Sequence, residues 1–337
     1  MDNFFYGELP SFLEECAQIP VVKRLQKIGM NCGCEYTSFP VFRNLKPYTR
    51  YDHSLGAALI IWHFTADRAQ AAAGLLHDIA TPVFAHVVDF MNGDYLKQES
   101  TEAGTEAIIA SSPELQSFLE RNSLTTLDVC DYHRYPIADN DTPQLSADRL
   151  EYSFGNMVNF GICTEETAKL FYEDLTVGSN EKGQKEIMFQ TQQTAEEFAM
   201  AALQCSQIYV SDEDRYAMQI LSEILRYAVG HSLITRDDLH STEEEVIRKL
   251  LQDEHANTMW KEFRSYGRIV YHESEGLAGK WRKIDAKKRF IDPMVKENGR
   301  LSQLSPDFRD ALHFFLQTDF DYHICAVPET GGIICPV

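Results

Sequence analysis

Residues 54–67 (SLGAALIIWHFTAD) and 68–80 (RAQAAAGLLHDIA) are two consecutive helical stretches, rich in Ala and Leu, with few side chains of the kind that face water. Helices this apolar sit in a core rather than on a surface, so other elements must surround them. The chain supplies those elements as further helical patterns at 83–92, 101–111, 113–121, 145–159, 164–175, 193–210, 212–231, 242–252 and 255–265. Pro82 prevents the second apolar helix from continuing. Ser111-Ser112-Pro113-Glu114 and Ser211-Asp212-Glu213 carry the chemistry of helix N-termini. Strand-like patterns are few: 35–42 (EYTSFPVF), 267–272, 289–291 and 322–327. Asn180-Glu181-Lys182-Gly183 reads as a turn and 275–279 as a loop. The expectation is a mainly α protein, with a helical body over 1–265 and a small mixed α/β lobe over 266–337.

Composition narrows the partners. The 337 residues carry a formal net charge of −20, which disfavours a nucleic-acid coat or an anionic-membrane binder, since both need positive surface. The charge is uneven. Residues 20–50 and 280–300 each carry a net +5, leaving −30 on the rest, so two positive islands could receive small anions or be plain solvated faces. The start, MDNFFYGE, has neither a basic segment nor a long apolar one, so no signal peptide is expected. The stretch 54–66 is shorter than the roughly 20 residues a membrane-spanning helix needs. The eight cysteines include no Cys-x-x-Cys pair, which fits reduced thiols in a cytoplasmic protein better than zinc knuckles or disulfide staples.

Four polar residues sit at the ends of the buried helical patterns. His53 lies in Tyr51-Asp52-His53-Ser54, His77-Asp78 closes the second apolar helix, and Asp148 lies in Leu145-Ser146-Ala147-Asp148-Arg149-Leu150-Glu151-Tyr152. Buried unpaired, such groups cost several kcal/mol, so they need partners. A divalent cation is one shared partner that suits two imidazoles and two carboxylates, with Mn, Fe, Ni, Zn or Mg as candidates. Spacing alone leaves the alternatives open: hydrogen-bonded core histidines, or a His-Asp pair that merely ends a helix.

The surrounding residues carry a resemblance. Arg50-Tyr51-Asp52-His53-Ser54-Leu55-Gly56, then Leu75-Leu76-His77-Asp78-Ile79, then Asp148 resemble the His…His-Asp…Asp pattern of the HD-domain metal-dependent phosphohydrolases. The run from Ile19 to Gly29 (IPVVKRLQKIG), Phe39-Pro40 before Thr49-Arg50-Tyr51-Asp52-His53-Ser54, and 146–162 (SADRLEYSFGNMVNFGI) resemble motifs of the dNTP triphosphohydrolase-like branch, that of the SAM-and-HD-domain proteins. The resemblance covers roughly residues 15–165, with core motifs over 19–162.

The resemblance implies an HD-domain helical bundle in which His53, His77, Asp78 and Asp148 bind the metal. His86 matches an active-site His that orients water or protonates a leaving oxygen. Arg50 and Arg149 match positions that hold and neutralise phosphate, while Tyr152 and Asn156 match positions near the nucleotide. Tyr152 read alone is equally an ordinary core Tyr. A second metal bridged by Asp78, with His133 or His63 as an extra ligand, is a less favoured arrangement: His63 lies about 15 Å along the helix from His53. Two departures stand out. Thr81 occupies the place of the middle His in the family stretch HDxGHGPFSH, and Thr101 that of the His in HExxG. Asn156 stands where the family has Asp. The expected function is hydrolysis of a phosphate ester, with a nucleotide as the leading substrate, by metal-activated water. The alternatives are a dNTP triphosphohydrolase that releases triphosphate, or a non-catalytic nucleotide-binding sensor. Relatives of this kind form dimers or larger assemblies, so a homo-oligomer is expected too.

Overall fold

The computed structural model describes residues 6–93, 104–272 and 279–329. The first apolar stretch becomes a helix over Arg50–Thr65 and the second over Arg68–Leu76. Thr49 and Asp52 cap the first helix reciprocally, satisfying two of its orphan N–H groups. Asp67 caps the second by accepting from the amides of Ala69 and Gln70. Ala57, Ala58, Ile60 and Ile61 on one, and Ala71 to Leu76 on the other, are buried, as their composition requires.

The core has two parts. One joins these two helices to Ala147–Asn159, Gln192–Tyr209 and Pro306–Gln317. The other joins Asp212–Gly230 and Glu254–Ser265 to a two-stranded sheet. Six strands are present among the described residues: β1 (Leu175–Ser179), β2 (Lys185–Phe189), β3 (Tyr266–His272), β4 (Met294–Val295), β5 (Gly299–Arg300) and β6 (His323–Pro328). β3 pairs antiparallel with β6, and the other four form a sheet in the order β1-β2-β4-β5. Residues on both sides of position 265 therefore share one sheet, tied further by Arg300, which pairs with buried Glu186 on β2 at 2.5 Å. The small α+β part is packed into the helical body.

Two sequence readings need correction. The alternating stretch 35–42 is not a strand. It forms two short 3-10 turns, Cys34–Tyr36 and Pro40–Phe42. Thr37 Oγ1 donates to the Cys34 carbonyl at 2.7 Å, and Pro40, lacking an N–H, starts the second turn. Residues 289–291 are in no strand. The turn at 180–183 closes a hairpin whose strands, β1 and β2, carry no strong alternation. Asn180 Oδ1 accepts from the amides of Lys182 and Gln184, and Gly183 takes a left-handed φ of 75°. Thr101 lies outside the described residues. Among those described, no helix is long and apolar enough to cross a membrane, and the seven cysteines are free thiols.

Candidate metal centre

Three helices converge on one point. His53 sits in the first turn of Arg50–Thr65, His77 caps the C-terminus of Arg68–Leu76, and Asp148 sits in the first turn of Ala147–Asn159. His53 Nε2 lies 3.2 Å from His77 Nε2 and 3.0 Å from Asp148 Oδ1, and His77 Nε2 lies 3.4 Å from that oxygen. Donors about 2.0–2.2 Å from one cation are about 2.8–3.1 Å apart at right angles and about 3.3–3.6 Å apart at the tetrahedral angle. The three separations fall in or between these ranges.

The other ring nitrogens explain why the Nε2 atoms face inward. His77 Nδ1 is 2.7 Å from the Gly74 carbonyl, and His53 Nδ1 is 2.6 Å from Glu151 Oε2. Each Nδ1 faces an acceptor, so the two Nε2 atoms and Asp148 Oδ1 converge on one point, where either a cation bound through the Nε2 lone pairs or protons on the imidazoles must separate them. Glu151 is itself held by Tyr48, whose hydroxyl donates at 2.6 Å. Two glycines let this support approach. A Cβ on Gly56 would lie 2.6 Å from the Glu151 side chain, and one on Gly155 2.5 Å from the Tyr48 hydroxyl. The donor set and its supports fit a divalent cation.

Asp78 borders the same point but faces two ways. Its Oδ2 is 3.6 Å from His77 Nε2, 4.0 Å from His53 Nε2 and 3.1 Å from an Arg50 nitrogen. Its Oδ1 accepts from Thr81 Oγ1 at 2.7 Å. Burial opposes the charge on Asp78, yet Arg50 and the two imidazoles hold its carboxyl well below the usual range. Thr81 is therefore a fully buried anchor for this carboxylate. Arg24 clamps the same loop by donating to the carbonyls of Ile79 and Thr81.

The cluster opens into a cavity of about 730 Å³. His86 lines it, reached through left-handed backbone at Phe84 (φ 58°) and Ala85 (φ 45°). Such backbone costs on the order of 1–3 kcal/mol at a non-glycine residue, and it persists here because both residues are completely buried. His86 Nδ1 meets buried Asp89 at 2.9 Å. Burial still pushes the imidazole down to about 4, outweighing that hydrogen bond, so at neutral pH its Nε2 is a lone pair.

Arg149, Tyr152 and Asn156 follow Asp148 along one helix, and all three line the cavity. Arg149 donates to the carbonyls of Gln144 and Asn140 and pairs with Asp139 at 3.1 Å. Asn156 donates to the Tyr209 hydroxyl at 2.7 Å, while its buried Oδ1 has no protein partner. The Tyr152 ring lies 6.4 Å from the His53 ring and 6.3 Å from that of Tyr209. The two extra ligands considered for a second metal do not join the cluster. His133 is half exposed and 3.4 Å from both Asp131 and Asp139, and His63 is exposed against Phe64 and Tyr172.

Sequence reasoning missed Glu151, although its place three residues after Asp148 puts both carboxylates on one helix face. It also missed Asp139 and Tyr209, for which no local signal exists.

Searched against known family profiles, the chain matches none. An uncharacterized protein of Bacillus subtilis, YdhJ, is 26% identical over 255 residues, covering 74% of each chain. A metal-dependent phosphohydrolase of Cordyceps militaris, cns2, is 28% identical over 176 residues, 50% of this chain and 47% of that protein. Among solved structures, a phosphohydrolase from Bacteroides thetaiotaomicron superposes with a TM-score of 0.66 at 15% identity, covering 98% of this chain and 99% of the other. A hypothetical protein from Aquifex aeolicus superposes with a TM-score of 0.63 at 16% identity, covering 96% and 94%. The fold is thus the mainly α HD-domain fold with a small C-terminal α+β part.

Proposed function

We propose that this chain is a metal-dependent phosphohydrolase that cleaves a phosphate ester, with a nucleotide as the substrate class. The observation that carries the reading is the inward ring of His53, His77 and Asp148, with Asp78 beside it, at the wall of a cavity that also holds guanidinium groups and tyrosines. The phosphohydrolase names of the Cordyceps relative and the Bacteroides neighbour support the same reading.

His53, His77, Asp148 and Asp78 would hold the ion, and its mixed imidazole and carboxylate donors suit Mn, Fe, Ni or Zn better than Mg. When bound, it would supply Lewis acidity to the phosphoryl group and to the attacking water. The protein's own groups do the rest. His86, neutral and fixed by Asp89, accepts a proton from water or orients it. Arg50 and Arg149 provide positive charge against the developing phosphate charge. Tyr152 offers a ring face, and Asn156 Oδ1 an acceptor for a sugar hydroxyl.

The test is product analysis with the full chain. Nucleoside mono-, di- and triphosphates are incubated with protein loaded with each candidate metal, and orthophosphate, pyrophosphate and triphosphate are separated. Metal-dependent phosphate release that a chelator abolishes is expected. Inorganic triphosphate as the product would assign the triphosphohydrolase reaction instead. Saturable nucleotide binding without turnover under any metal would make the protein a sensor.

A further inference from the structure

The second positive island, which the proposed chemistry leaves without a role, runs along the cavity. Residues 285–289 (DAKKR) all line it, more than 130 residues away in sequence from the last metal-ligand candidate. The segment is a strap pinned at both ends. Upstream, the Ile284 carbonyl accepts from the buried Arg215 guanidinium, which stacks 4.2 Å from the Phe320 ring centre. Downstream, Ile291 is buried and the Asp292 amide donates to the Pro143 carbonyl at 2.9 Å, beside the Asn140–Thr142 wall of the cavity. In between, Lys288 is held away from the cavity centre by the carbonyls of Leu316 and Thr318. Ala286 and Phe290 pack on the core.

We infer that Arg289, carried by this strap, is a substrate-binding residue that grips a phosphate of the substrate within the cavity that the candidate metal ligands also line. The inference rests on the phosphohydrolase reading and adds to it the residue that receives the anionic end. Burial dominates the titration of His86 and Tyr152, which line the same cavity, lowering the first and raising the second to about 12. The Arg289 charge adds to the first shift and opposes the second, so it lies within electrostatic reach of both walls. Arg289 joins Arg50, which pairs with Asp78, and Arg149, which pairs with Asp139, as a third guanidinium on the cavity wall from a distant part of the chain. Planar guanidinium forks phosphate oxygens in two-point contacts, and a strap fixed at both ends limits the ordering needed on binding.

The experiment compares Arg289→Gln and Arg289→Lys with Lys283→Gln, a control in the same island that pairs with Asp321 and does not line the cavity. Two quantities are read on metal-loaded full chain: the Kd for inorganic pyrophosphate by calorimetry, and kcat and KM for the best ester. Arg289→Gln should weaken pyrophosphate binding and raise KM by roughly 10- to 100-fold, with kcat changed far less. Arg289→Lys should recover part of the loss, and Lys283→Gln should change neither. An unchanged Kd and KM in Arg289→Gln would overturn the inference while leaving the hydrolase reading intact. Weakened pyrophosphate binding in a protein that hydrolyses no ester would do the reverse. Wild-type protein that neither binds pyrophosphate nor hydrolyses an ester would overturn both.

Discussion

Two buried acidic clusters are treated oppositely by the same fold. In one, Asp78 and Asp148 face two imidazoles and the Arg50 guanidinium, and both carboxyls are held well below their usual range despite burial. In the other, Glu35 faces Glu243. Burial first, then the charge of Glu243, pushes Glu35 up to about 8, and its Oε2 is sealed from solvent without a protein partner. Glu243 takes the donors, the Gly29 amide at 2.9 Å and the Tyr36 hydroxyl at 2.8 Å. Burial alone therefore does not make an acidic cluster a cation site. What distinguishes the first is that its carboxylates are kept ionised beside two imidazoles whose Nε2 atoms converge with Asp148 Oδ1. The second is built to stay protonated, a buried carboxyl pair carrying one charge at most near neutral pH.

The comparison breaks most sharply at Asp148. Asp148→Ala should reduce phosphate release to background and abolish equimolar metal retention after gel filtration. Full activity in that variant would dissolve the distinction between the clusters. Glu151→Gln keeps the hydrogen-bonding shape but removes the charge behind His53. It should cost roughly 10- to 100-fold in metal affinity or activity, read by metal titration. The smallest effect belongs to the second cluster. A carboxyl whose folded value is raised contributes stability that is complete below its unfolded value and is lost as pH rises through the folded one. For Glu35 that window runs from about pH 4.5 to about 8. Glu35→Gln should leave the Tm unchanged at pH 5 and raise it at pH 8.5 by on the order of a few degrees. A Tm lowered equally at both pH values would show that Glu35 is not held protonated.

The converging cluster of His53, His77 and Asp148 was legible because its parts are local. Each ligand sits at the start or end of a helix whose apolar pattern announces burial, and a polar residue there needs a partner. The resemblance then singled out the same four positions. The exchange at Thr81 was visible, but not that its hydroxyl would anchor Asp78, since a three-residue hydrogen bond in a loop has no pattern of its own. The 35–42 stretch shows the limit of alternation: the chain between two 3-10 turns also buries Thr37 and Phe39, two residues apart as in a strand. The strap was out of reach for another reason. Its charge run was plain, but charge says nothing about which distant wall a segment will cover.

The chain order of these parts has a consequence for biosynthesis. All four candidate ligands are made by residue 148, and the helices that carry them pack on one another, Arg50–Thr65 against both Arg68–Leu76 and Ala147–Asn159. Domains tend to organise from the N-terminus as the chain leaves the ribosome. The ligand ring can therefore assemble on a nascent chain whose cavity still lacks the wall that residues 285–289 provide. A partly made molecule would be open to ions on the side that residues 285–289 later cover.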